Sequence, residues 1–188
     1  MPLPPPHIHD QPLPYVAKLD ERPASAVDLV VIHCTELPDL ATARRYGEKV
    51  LYASGTGNSG HFYIDRDGQV YRYVPGTRVA NHTRGYNERS IGIELVNSGR
   101  YPDWLDSRHQ TMTQPYTAAQ IASLRALLGQ LRHDYPNLRW IAGHEDLDTT
   151  LVPASDDPSI QVHRKLDPGP QFPWPKVLEG LSLQRLHP

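Results

Sequence analysis

The segment Leu29-Val30-Val31-Ile32-His33-Cys34 constrains this chain more than any other. In a strand over residues 28–34, Leu29, Val31 and His33 point one way, and Val30 and Ile32 point the other. Both faces are apolar, so the strand has to be covered on both sides, as a central strand of a layered fold is. His33 falls at its C-terminal end, where side chains open into a cleft.

The remaining elements follow from pattern. Residues 41–53 carry Tyr46, Val50 and Ala53 at helical spacing. After a Gly/Ser/Asn loop, residues 61–74 read as a hairpin turning at Asp67-Gly68. In a strand over 90–97, Ile91, Ile93 and Leu95 share one face and Gly92, Glu94 and Val96 the other. Thr117-Ala118-Ala119-Gln120 has the form of a capping box. The helix it opens places Ile121, Leu124, Leu127, Leu128 and Leu131 along one side, and Pro136 ends it. A short strand over 139–142 leads to Gly143-His144, residues 145–164 read as a long loop, and residues 177–186 as a last short helix. The order strand, helix, hairpin, strand, helix, strand predicts an α/β fold, a mixed central sheet flanked by helices. The 19 prolines and 188 residues fit one domain over 27–188, preceded by a proline-rich extended arm over 1–26.

Composition removes several function classes. A formal net charge of −2 without a basic run argues against nucleic acid or an anionic membrane surface as partner. A single cysteine, Cys34, excludes an internal disulfide framework and a multi-cysteine metal cluster. No stretch is long and apolar enough to span a bilayer, and no apolar leader is visible. These features predict a cytoplasmic location, or a periplasmic one if a leader precedes the sequence.

Ten histidines exceed what packing requires. His33 and His144 sit at predicted strand ends, and Asp167 precedes Pro168-Gly169-Pro170, whose rigidity lowers the entropy cost of holding it. Two imidazoles and one carboxylate form the ligand set of an open zinc site with a position left for water. The competing reading is that each histidine is a hydrogen-bonded core residue, because the spacing is not a compact metal motif.

Six ordered blocks carry a more specific signal: Val31-Ile32-His33-Cys34-Thr35; Gly60-His61-Phe62-Tyr63-Ile64-Asp65; Val79-Ala80-Asn81-His82-Thr83-Arg84-Gly85-Tyr86-Asn87; Ser90-Ile91-Gly92-Ile93-Glu94-Leu95; Ile141-Ala142-Gly143-His144; and Arg164-Lys165-Leu166-Asp167-Pro168-Gly169-Pro170. Over residues 28–175 they resemble the zinc-dependent N-acetylmuramoyl-L-alanine amidases. That group also holds anhydro-muropeptide amidases, amidase-type phage lysozymes and peptidoglycan recognition proteins. The resemblance implies one Zn2+ per chain on His33, His144 and Asp167, Glu94 as general base, and Lys165 as the oxyanion-stabilising cation. The implied reaction cleaves the amide between N-acetylmuramic acid, or its anhydro form, and L-alanine of peptidoglycan stem peptides. Tyr63, His82 and Asn87 are candidate substrate contacts, with His82 alternatively hydrogen-bonded behind the ligands and Asn87 alternatively bracing its loop.

Two departures stand out. Gly60 occupies the place where phage and recognition-protein members carry a tyrosine, which shifts the catalytic burden to Glu94. The segment between His144 and Lys165 is longer than in the cytoplasmic anhydro-muropeptide enzymes, and could form a wall or lid. His163, within it, is the candidate substitute ligand. A non-catalytic muropeptide-binding module is the alternative function; members that only bind typically lack a metal ligand, whereas His33, His144 and Asp167 are all present here with Glu94 and Lys165.

Overall fold

The structure, a computed structural model, describes residues 4–188. Its centre is a seven-stranded sheet built on β2 (Leu29–Cys34), every residue of which is buried. Seven strands contribute: β1 (Ile8–Asp10), β2, β3 (Phe62–Ile64), β4 (Val70–Arg72), β5 (Ser90–Leu95), β6 (Trp140–Gly143) and β9 (Gln184–Arg185), in spatial order β1-β4-β3-β5-β2-β6-β9. Among the described strands of this sheet, only the β3–β4 hairpin pairs antiparallel. Its turn uses Gly68 at φ 87°, a left-handed conformation that glycine adopts without penalty.

Alternation along the strands sets the two layers. Val30, Ile32, Ile91, Ile93 and Leu95 face the long helix α2 (Ala118–Asp134), meeting its Ile121, Leu124, Leu127, Leu128 and Leu131. Thr117 caps α2 by accepting from Gln120 N–H while the Gln120 side chain accepts from Thr117 N–H. The short α4 (Trp174–Leu178) adds Val177 to the same core. The opposite face holds α1 (Leu40–Gly47), whose Ala43 packs in a smaller cluster with Tyr63 and Tyr73.

Several expectations change. The helix expected over 41–53 ends at Gly47, and Tyr46 and Val50 are exposed, so their spacing marked surface rather than a core stripe. Residues 145–164 are not one loop: α3 (His144–Leu147) is followed by an antiparallel ribbon of β7 (Leu151–Pro153) and β8 (Gln161–His163). The helix expected over 177–186 is replaced by the end of α4 and by β9, which joins the sheet edge beside β6. The arm expected over 1–26 is described from residue 4, residues 1–3 lying outside the described ones, and it runs extended with single 3-10 turns at Val16–Lys18 and Ala24–Ala26. It does not stand apart from the rest: β1 pairs with β4, and Leu13, Tyr15 and Leu19 are buried.

Candidate metal centre

Strand register builds the site. In the parallel pairing, His33 of β2 lies opposite Glu94 of β5, and Glu94 lies opposite Tyr63 of β3. On the other side Ile32 pairs with Gly143, so β6 ends level with β2 and delivers His144 beside His33. Four side chains from four neighbouring strand ends thus form one row. They line a cavity of about 550 Å3 that also takes in Lys165 and Asp167.

Asp167 arrives from the late segment. Its carbonyl accepts from Glu145 N–H at 2.9 Å, and the carbonyl of Pro168 accepts from the Tyr116 hydroxyl at 2.6 Å. Its Oδ2 comes within 2.9 Å of His33 Nδ1 and 3.2 Å of His144 Nδ1. All three residues are buried, and one donor atom from each lies within 4.8 Å of the others. His144 Nε2 and Asp167 Oδ1 are buried without a hydrogen-bond partner. An unsatisfied carboxylate oxygen in a buried cluster is costly, and a divalent cation where His33 Nδ1, His144 Nδ1 and Asp167 Oδ2 converge is one way to offset it. The donor set, two imidazoles and a carboxylate, fits zinc. Burial is the main influence on His33 and lowers its pKa to about 4, so the imidazole is neutral at physiological pH, as a ligand must be. Burial would raise the Asp167 carboxyl, but the neighbouring imidazoles outweigh it and hold the group well below the usual carboxylate range.

Glu94 Oε1 stands 4.0 Å from His33 Nδ1. Burial, reinforced by the Asp167 charge, raises its pKa well above the usual value, while Lys165 pulls it back. A carboxylate so perturbed beside a ligand cluster can exchange a proton at neutral pH. The glycine facing it has a definite role: a Cβ on Gly60 would meet Glu94 Cγ at 2.9 Å. Gly92, on Glu94's own face, does not leave open space for a ligand. The His82 ring fills that space, and a Cβ there would stand 2.7 Å from its Cγ.

The other sequence candidates separate by contact. His82 Nδ1 lies 3.0 Å from His33 Nε2, behind the cluster. Asn87 Oδ1 accepts from the backbone N–H of His82 and of Thr83, bracing that loop. Tyr63 is buried, with its hydroxyl 3.2 Å from Ser59 Oγ. His61 is wholly buried, and its Nδ1 accepts from Gly92 N–H. His163 lies outside the ligand cluster, and its carbonyl accepts from Arg100. Cys34 is a buried thiol whose pKa burial pushes up, which leaves it unreactive.

Sequence reasoning missed the buried pair that frames one side of the cavity. Arg100 donates from Nε and Nη2 to the two oxygens of Glu36, and from Nη1 and Nη2 to the carbonyls of His163 and Arg164. It thereby ties the end of β8 to the segment after β2, one residue before Lys165. No signal marked it, because the partners lie 64 positions apart. Thr83, whose hydroxyl is 3.3 Å from His33 Nε2, was signalled only by its place in the third block.

The model of the N-acetylmuramoyl-L-alanine amidase family matches residues 23–170. The endolysin of enterobacteria phage T3 is 29% identical over 143 residues, covering 75% of this chain and 89% of that protein. The 1,6-anhydro-N-acetylmuramyl-L-alanine amidase AmpD of Enterobacter cloacae is 35% identical over 120 residues, which is 59% of this chain and 50% of that one. The chain thus spans about half the length of that relative. Among solved structures, a selenomethionine derivative of AmpD superposes with a TM-score of 0.65 at 25% identity, covering 94% of each chain.

Proposed function

Because the chain belongs to the N-acetylmuramoyl-L-alanine amidase family, we propose that it hydrolyses the amide joining N-acetylmuramic acid, or its anhydro form, to L-alanine of peptidoglycan stem peptides. The observation that carries this reading is the row Tyr63–Glu94–His33–His144 along one end of the sheet, closed by Asp167 and Lys165 in a single cavity.

His33, His144 and Asp167 would hold one zinc ion per chain. Zinc bound there supplies Lewis acidity to the amide carbonyl and lowers the pKa of water. Glu94 accepts the proton of the attacking water and returns it to the leaving nitrogen of L-alanine, so the amine departs neutral. Its raised pKa suits both halves of that exchange. Lys165 lines the same cavity, and its ammonium would offset the negative charge that grows on the carbonyl oxygen. Tyr63 and the loop held by Asn87 shape the wall against which the saccharide and peptide rest.

The test is mass spectrometry of products from sacculi and from purified anhydro-muropeptides, with and without a chelator. Free stem peptide, lost on chelation and restored by zinc, is the expected result. Intact substrate with the zinc-loaded protein, or cleavage between two amino acids of the stem, would reject the proposal. Among the described residues no helix is long and apolar enough to cross a membrane.

A further inference from the structure

One chain of hydrogen bonds behind the cluster has its proton order dictated from its far end. The Ser90 hydroxyl stands 2.7 Å from the carbonyl oxygen of Tyr86. A carbonyl can only accept, and serine has one proton, so Ser90 donates it there. Ser90 Oγ is also 3.2 Å from His82 Nε2. With its proton spent, the oxygen must accept from that nitrogen, so His82 carries its proton on Nε2. His82 Nδ1 is then bare. It lies 3.0 Å from Thr83 Oγ1 and 3.0 Å from His33 Nε2, and it can only accept from both. His33 is therefore protonated on Nε2, and its lone pair stands on Nδ1, the atom facing Asp167.

Packing holds the chain in this register. Ser90 is fully buried, and the His82 ring lies against Gly92, where any Cβ would collide with it. Asn87 fixes the backbone of His82 and Thr83, and Arg22 in turn donates to the carbonyls of Asn87 and Glu88.

We propose that Ser90 and His82 are positioning residues that lock His33 as the Nε2–H tautomer and so select Nδ1 as its metal-binding atom. The inference rests on the zinc reading of the site. In that tautomer the lone pair of His33 Nδ1 stands 2.9 Å from Asp167 Oδ2, a spacing that a cation held by both atoms would make favourable. His82 lines the cavity as well, and its contact with His33 Nε2 gives it this supporting place.

Nitrogen-15 NMR of histidine-labelled protein tests this with and without zinc. His82 should carry its proton on Nε2 in both states, and His33 should carry one on Nε2 with bare Nδ1 in the zinc-loaded state. A proton on His82 Nδ1 overturns the proposal whatever the metal result. Zinc affinity by chelator competition gives the second readout. His82→Leu removes the acceptor and should weaken binding about 10- to 100-fold. His82→Asn, whose side-chain oxygen falls near the place of Nδ1, should retain most of the affinity. Wild-type affinity in a folded His82→Leu protein would overturn the proposal, and if that variant does not fold, the tautomer of the unmodified protein decides alone. A wild-type protein that binds no zinc would reject the metal reading instead, and His82 would still report on the proton order.

Discussion

Glu94 shows how one side chain is placed at a cost for the sake of chemistry. Burial favours its protonated form, so the folded, metal-free protein keeps a proton that the unfolded chain loses near pH 4. Above that pH the unfolded state binds fewer protons, and stability falls as pH rises until the folded group also ionises. Glu94→Gln should therefore raise the melting temperature of the metal-free protein at pH 7, and the gain should vanish below pH 4. A scan showing no gain at pH 7 would contradict the buried-acid account. The same substitution should lower amide cleavage by about 10²- to 10⁴-fold while zinc content stays at one per chain. His144→Ala should do the reverse to the metal, and a full zinc complement in that variant would remove His144 from the ligand set. At this scale the sequence was most readable. His33, Glu94 and His144 could be singled out because each ends or occupies a strand with a clear pattern, and ordered blocks flank them. Glu36 and Arg100 could not, since nothing periodic connects two charged residues on separate loops.

At the scale of elements, magnitudes separate what shapes the fold from what trims it. Thr117→Ala removes a cap from α2 and should cost about 1 kcal/mol in urea unfolding. Arg100→Ala leaves Glu36 buried without its counter-charge and should cost about 3–5 kcal/mol, several times more. A loss under 1 kcal/mol for the arginine would mean that water replaces the pair at little cost. The long elements were legible for a physical reason: β2, β5 and α2 each repeat their apolar pattern through several positions. β1, β7 and β8 have three residues each and β9 has two, too few for alternation to register. Tyr46 and Val50 imitated a helical stripe beyond Gly47, yet both face solvent. Burial, not spacing, decides where a helix ends.

For the molecule as a whole, metal and fold should be linked. A ligand cluster assembled from β2, β6 and the late segment exists only when the chain is folded, so zinc should stabilise the native state alone. At a free concentration 100 times the dissociation constant the gain is about 2.7 kcal/mol. For a domain of this size that corresponds to a rise of roughly 5–10 °C in melting temperature. Calorimetry showing no shift with saturating zinc would argue that the three groups do not share an ion.

The sheet's outermost strands, β1 and β9, both lie outside the matched residues 23–170. Pro4, Pro5 and Pro6 precede β1, and Pro12 and Pro14 follow it, so few amide protons flank the strand for a stranger to pair with. Trimming the chain to the matched residues would strip this guard and leave β4 and β6 with bare ladders. The same cut removes the buried Leu13, Tyr15, Leu19 and Val177, so the shortened protein should self-associate through bared edges and bared core together, growing larger on a sizing column as its concentration rises.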